Sequence, residues 1–212
     1  PRHLTIPDKN HVDQLIKGRI ADMVSLAADL KGYTVFYNGP KCGASAPDHM
    51  HFQAGNSDFL TIGKVLEDAE LVPLQVVDDG EAVLSVVQDI PLNMFIIDTT
   101  DAHAAQDLFG RLYDAMTIQE GEKEPMMNIL CYFTEDEEVR LVVIPRKRRR
   151  PSFYGTEGEN SMLLSPASVD MGGVFITPLE KDFNRLDADL VRQVYEELCL
   201  NDDEMNDIIQ KL

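Results

Sequence analysis

Tryptophan is absent from the 212 residues, cysteine occurs three times, and 19 lysines and arginines stand against 37 aspartates and glutamates. The shortage of cations leaves a net charge of −18, which argues against a nucleic-acid polymer or an anionic membrane as the main partner. A nucleotide stays open, because a small anion responds to its local pocket more than to the global charge. Cys42, Cys131 and Cys199 are odd in number and lack metal-ligand spacing, so a reduced, cytoplasmic setting is expected. Long apolar runs are missing as well. A stretch such as Met94-Phe95-Ile96-Ile97 falls far short of the roughly 20 residues a membrane helix needs, and no signal peptide is recognisable. The hydrophobic share of 44% and charged share of 26% are ordinary for a globular chain able to bury a core. The chain opens on Pro1 and reaches the strand-like Leu4-Thr5-Ile6-Pro7 almost at once, so it reads as an N-terminally truncated piece of a longer protein.

The hydrophobic pattern alternates between two periods. Val12, Ile16, Ile20, Met23, Ala27 and Leu30 form one stripe at helical spacing, closed by Gly32. Residues 34–37 and 49–53 read as strands separated by a polar, glycine-containing loop. Two β-rich runs, 71–77 and 81–87, flank Asp78-Asp79-Gly80, a hairpin signal. A strand over 94–98, a helix over 101–118 and paired strands over 127–133 and 138–145 follow. The chain then closes with helices that start at Asp187 and at Asn201-Asp202. This is an α+β pattern, and the later order of helix then paired strands echoes the earlier one, as two degenerate repeats would. The chain divides accordingly into 1–70, carrying the motif described next, and 71–212.

That motif is His49-Met50-His51-Phe52-Gln53. On a strand, positions 49, 51 and 53 share a face, so two imidazoles and a carboxamide would meet one surface. Imidazole is a competent nucleophile near neutral pH, and a carboxamide can bond a phosphate oxygen without adding charge. Three explanations fit a bare His-x-His: a solvated pair, two metal ligands or a catalytic pair. The metal reading wants further ligands. Gln53 is a poor one, and His3, His11 and His103 lie in unrelated contexts.

The segment Asn38, Gly43, Ser45, His49, His51 and Gln53 resembles the histidine-triad superfamily, in the branch of galactose-1-phosphate uridylyltransferase, diadenosine tetraphosphate phosphorylase and GDP-L-galactose phosphorylase. That branch carries His-x-His-x-Gln, and His49 to Ala54 is most similar to its GDP-hexose phosphorylases. Residues 1–55 and about 125–185 carry the likeness. The resemblance implies a histidine-triad-like antiparallel sheet with packed helices and a nucleotidyltransferase or nucleotide phosphorylase. His51 would attack the α-phosphorus to give a nucleotidyl-histidine, Gln53 would hold a non-bridging oxygen, and His49 would support the neighbouring backbone or ring. Asn38, Gly43, Ser45 and Lys41 would line the phosphates, with Gly43 letting backbone approach. A nucleotide-sugar or dinucleoside polyphosphate would be the donor and phosphate or a sugar phosphate the acceptor, with no cofactor or catalytic metal.

Arg146-Lys147-Arg148-Arg149-Arg150 is the one basic cluster, and one or two of its arginines are expected at the acceptor phosphate, because Arg matches phosphate geometry. Cys42 has no base placed for it and reads as a buried thiol. The competing readings are a non-catalytic nucleotide-binding domain that keeps the fold, and a metal-dependent hydrolase using His49 and His51.

Overall fold

The computed structural model describes residues 2–77, 80–158 and 161–212. Its centre is one eight-stranded antiparallel sheet built from β1 (His3–Pro7), β2 (Tyr33–Asn38), β3 (His51–Asn56), β4 (Leu71–Val77), β5 (Ala82–Val87), β6 (Phe95–Thr99), β7 (Met127–Phe133) and β8 (Val139–Pro145). The strand order is β1-β3-β2-β7-β8-β6-β5-β4. The expected α+β class, with an antiparallel sheet and packed helices, is what the chain forms. The Asp78-Asp79 part of the expected hairpin turn lies outside the described residues, while its two strands pair from Leu71↔Val87 to Val77↔Ala82.

The sheet order makes the repeat visible. In the first unit a strand, a helix and a hairpin follow one another, and the opening strand β1 pairs with the closing strand β3. The same order recurs as β6, α3 (Ala102–Ala115), β7 and β8, where β6 pairs with β8. The two units join through β2 and β7, paired from Thr34↔Tyr132 to Asn38↔Asn128. The second occurrence starts at β6, and β4–β5 are added outside it.

Both faces of the sheet are covered. Val35, Tyr37, Phe52, Ala54, Ile129 and Leu141 face α1 (Ile20–Asp29), α3 and α7 (Asp202–Ile209). Phe36, Leu130, Val142, Ile144 and Ile96 face the other layer, which includes α2 (Ile62–Glu67), α4 (Ser168–Met171) and α6 (Ala188–Leu198). Burial on both sides explains why β7 and β8 read as near-continuous apolar runs rather than alternating ones. The edge strand β4 carries Pro73 and a register shift between Pro73 and Gln75, both of which discourage further pairing. A further short helix, α5 (Glu180–Phe183), leads into α6.

Local signals set the helix starts. The Asp101 side chain accepts from the N–H groups of His103 and Ala104 and opens α3. Asp187 caps α6, and Asn201 with Glu204 forms a reciprocal cap on α7. The stripe over 11–30 overreaches. The helix begins only at Ile20, because Gly18 holds a φ of +83° and Ile16 donates its N–H to the Glu124 side chain. Ile16 is still fully buried, so the apolar spacing is real, but residues 11–19 run as an irregular segment across the ends of the strands.

Candidate active site

The site forms where the β2–β3 ladder opens. The register runs Tyr33↔Asn56 to Phe36↔Gln53, and two residues further on it would set Asn38 opposite His51. The Gln14 carboxamide fills the gap between them. Its nitrogen donates to the carbonyls of Asn38 (3.1 Å) and His51 (3.0 Å), and its oxygen accepts from the His51 N–H (2.8 Å). The His51 N–H and carbonyl both point into this gap and away from β1, where the Asp8 N–H bonds the neighbouring Met50 carbonyl instead. Gln14 is fully buried and meets this need with a side chain.

His51 is 6% exposed and shares its sheet face with Gln53, as the alternation predicts. Its Nδ1 lies 2.8 Å from the His49 carbonyl oxygen. A carbonyl can only accept, so Nδ1 carries the hydrogen and Nε2 of the neutral ring keeps its lone pair. Among the described residues nothing bonds that Nε2. His49 departs from the expected arrangement. The strand starts at His51, so His49 lies in the preceding turn, and its ring bonds the Asp8 carbonyl (2.9 Å) and lies 4.8 Å from the ring of His11. Its contact to the neighbouring ring is made by backbone. The Gln53 oxygen meets His3 Nε2 at 2.9 Å, and the His3 ring stacks on Phe36. This leaves the Gln53 nitrogen as a donor.

Asn38 is the hub on the β2 side. Its Oδ1 accepts from the Ser168 backbone N–H (2.8 Å) and from Asn128 Nδ2 (3.0 Å), which fixes the amide orientation. The Asn38 Nδ2 is then the free donor, with no protein partner among the described residues. Asn128 also reaches the Cys42 carbonyl, and the Ser168 hydroxyl donates to the Tyr37 carbonyl. Behind Asn128 stands Arg146, 3% exposed, whose guanidinium donates to Asn128 Oδ1 (2.6 Å) and to the carbonyls of Pro166, Arg148 and Arg149. Arg146 thus braces the strand end that presents Asn38.

Other expected site residues spread more widely. Gly43 has a φ of +106°, and a Cβ there would come 2.5 Å from Ala167 Cβ. The close approach its glycine permits is therefore to the loop before α4. Lys41 is half-exposed and pairs with Glu122 at 3.5 Å, and Ser45 is exposed on the same loop. In the basic cluster Lys147 pairs with Glu204 and Arg148 with Glu197. Arg150 bonds Ser165 and lies over the Tyr154 ring. Arg149 is exposed and, among the described residues, has no partner for its guanidinium. All three cysteines are free and buried, and burial pushes the Cys42 thiol up to about 12, which removes it as a nucleophile.

Among the described residues no group of three or more His, Cys, Asp or Glu is placed to hold a metal, so the His49/His51 pair has no third donor of these types. No helix among them is long and apolar enough to cross a membrane. A cavity of about 290 Å³ between the end of α3, β8 and α7 does not include His51. Gln14, Asn128, Ser168 and Arg146's inward turn escape sequence reasoning. Each is polar and buried and takes partners from far along the chain, Arg146 adding the nearby carbonyls of Arg148 and Arg149.

Residues 66–212 match the family described as "GDPGP1-like, C-terminal domain", and the chain belongs to that family. Residues 1–56, which carry the His-x-His-x-Gln motif, match a domain of unknown function, DUF4922. Among solved structures, a DUF4931 family protein from Bacillus cereus is similar at 15% identity and a TM-score of 0.45, over 77% of this chain and 81% of that one. No curated protein matches.

Proposed function

We propose that this protein is a nucleotidyltransferase of the phosphorylase type, which transfers a nucleotidyl group through a covalent intermediate on His51. The observation that carries this reading is the fixed tautomer: Nδ1 is tied to the His49 carbonyl, and among the described residues Nε2 has no partner for its lone pair. Membership in the GDPGP1-like family supports an enzyme acting on nucleotide sugars, with a GDP-hexose as the first donor to test. The histidine-triad resemblance of Asn38, Gly43, Ser45, His49, His51 and Gln53 supports the chemistry.

In the first step the Nε2 lone pair attacks the α-phosphorus. An N–P bond forms, the P–O bond to the hexose 1-phosphate breaks, and that phosphate leaves with the electron pair. In the second step an oxygen of inorganic phosphate attacks the same phosphorus, the N–P bond breaks, and a nucleoside diphosphate departs. Covalent catalysis divides one hard displacement into two easier ones. Asn38 Nδ2 and the Gln53 amide nitrogen donate to the non-bridging oxygens as charge develops there, already aimed by Ser168, Asn128 and His3. Arg149, the member of the basic cluster whose guanidinium has no partner among the described residues, meets the acceptor phosphate, with Lys41 and Ser45 nearer the donor's phosphates.

Incubation with GDP-hexose and inorganic phosphate, followed by separation of products, tests the reading. GDP and hexose 1-phosphate formed in equal amounts and only with phosphate present are expected. GMP formed without phosphate would mean hydrolysis, and no turnover of GDP-hexose, UDP-hexose or a dinucleoside tetraphosphate would favour a non-catalytic domain.

A further inference from the structure

Three buried oxygens lie in a row behind the Gln14 clamp. The Tyr37 hydroxyl is 3.1 Å from the Gln14 backbone carbonyl oxygen and 2.6 Å from Glu124 Oε1, and Glu124 Oε2 accepts the Ile16 N–H at 2.9 Å. Gln14 and Tyr37 are fully buried and Glu124 is 3% exposed. Tyr37 brings one hydrogen to two acceptors. If Glu124 is ionised, that hydrogen goes to the carboxylate, and the Gln14 carbonyl is left without a donor among the described residues. If Glu124 is neutral, its own hydrogen goes to the Tyr37 oxygen, the Tyr37 hydrogen goes to Gln14, and every group is satisfied.

We propose that Glu124 is a positioning residue that works as a neutral carboxylic acid, its proton holding the Tyr37 hydroxyl on the Gln14 carbonyl and so keeping the Gln14 clamp on Asn38 and His51. The link to catalysis rests on the reading of His51 as the nucleophile. The clamp itself does not, since it is a matter of hydrogen-bond accounting.

The surroundings favour the neutral form. Among the described residues no cation pairs with Glu124. The titratable groups facing it are Tyr37 from β2, Cys42 from the loop after β2 and Tyr113 from α3, none of them a cation. The lysines nearest in sequence and space are otherwise engaged, Lys123 with Asp13, Lys41 with Glu122, and Lys17 with Asp114 while it lies over the Tyr113 ring. Burial pushes the Glu124 carboxyl up to about 7. Ionisation would therefore fall near neutral pH, where it would release the Tyr37 hydroxyl from Gln14 and loosen the gap that seats His51.

NMR of the full chain, with labelled side-chain carboxyl and amide groups, tests this directly. The Glu124 carboxyl carbon is expected to titrate near 7, and the Gln14 side-chain amide to step with the same midpoint. In Glu124→Gln that step is lost. In Tyr37→Phe the Glu124 titration survives but the Gln14 step is lost. A Glu124 that titrates in the ordinary carboxylate range, or a Gln14 step that persists in Glu124→Gln, overturns the proposal. In a second measurement, the rate of covalent nucleotidylation against pH should fall on the alkaline side in the wild type, and Glu124→Gln should flatten that limb. An alkaline limb unchanged by Glu124→Gln would break the link to catalysis. A wild type that is never nucleotidylated would sink the role of His51 and leave the NMR result to decide the clamp.

Discussion

Gln14→Leu removes the carboxamide that holds the ladder open, in a side chain of similar size. Three backbone groups lose their partner at once: the Asn38 carbonyl, the His51 carbonyl and the His51 N–H. A buried polar group left unpaired costs roughly 1–3 kcal/mol. Taking the lower end for each, because a loosened strand end admits water, the variant should lose about 3 kcal/mol. For a chain of this size 1 kcal/mol moves the thermal midpoint by roughly 2–4 °C, so a fall of about 6–12 °C is expected. Urea unfolding at fixed pH, with thermal melts alongside, would measure it. The control is Gln193→Leu, which removes one exposed bond to Glu197 and should stay within about 0.5 kcal/mol of wild type. A Gln14→Leu protein within about 1 kcal/mol of wild type would refute the claim that this side chain replaces missing ladder bonds.

Other outcomes follow from the same geometry. The Glu124 carboxyl keeps its proton to about 7 in the native chain and releases it near its ordinary 4.5 when unfolded, so the native state binds more protons between those values. Stability should therefore be full below about 4.5 and fall by up to about 3 kcal/mol as pH rises to 7, a slope that pH-dependent urea melts should find missing in Glu124→Gln. Gly43→Ala meets both the positive φ and the Ala167 Cβ, and should cost about 1–3 kcal/mol in the same melts, with Ala167→Gly recovering only the steric part. Arg146→Met strands the carbonyls now bonded by its guanidinium and should cost about 3 kcal/mol or more, whereas Arg149→Ala should stay within about 0.5 kcal/mol while weakening the phosphate requirement.

What could be read from the sequence was local. Asp101, Asp187 and Asn201 announced helix starts because a cap needs only residues two or three positions on. The strands of β7 and β8 were legible because burial on both faces leaves an unbroken apolar run. The helix expected over 11–30 failed in its first half because Gly18 and the distant Glu124 outweighed a correct apolar spacing. The pairing of His51 with Gln53 followed from alternation, but His49 fell outside it, since the register of β3 against β1 ends at Pro7. The five basic residues 146–150 looked alike in sequence. The fold separates them by turning Arg146 inward to a ring of carbonyls and leaving Arg149 in solvent. Gln14, within a mixed segment of the first 20 residues, gives no sign of its role until β2 and β3 are seen to part.

The central claim is that the free Nε2 of His51 carries the nucleotidyl group. Wild-type protein incubated with α-labelled GDP-hexose and quenched before phosphate is added should retain label that is labile to acid and stable to base, as a phosphoramidate is. His51→Ala should retain none, while His49→Ala should still be labelled, because the bond to Nδ1 comes from the backbone. Label that persists in His51→Ala would contradict the account.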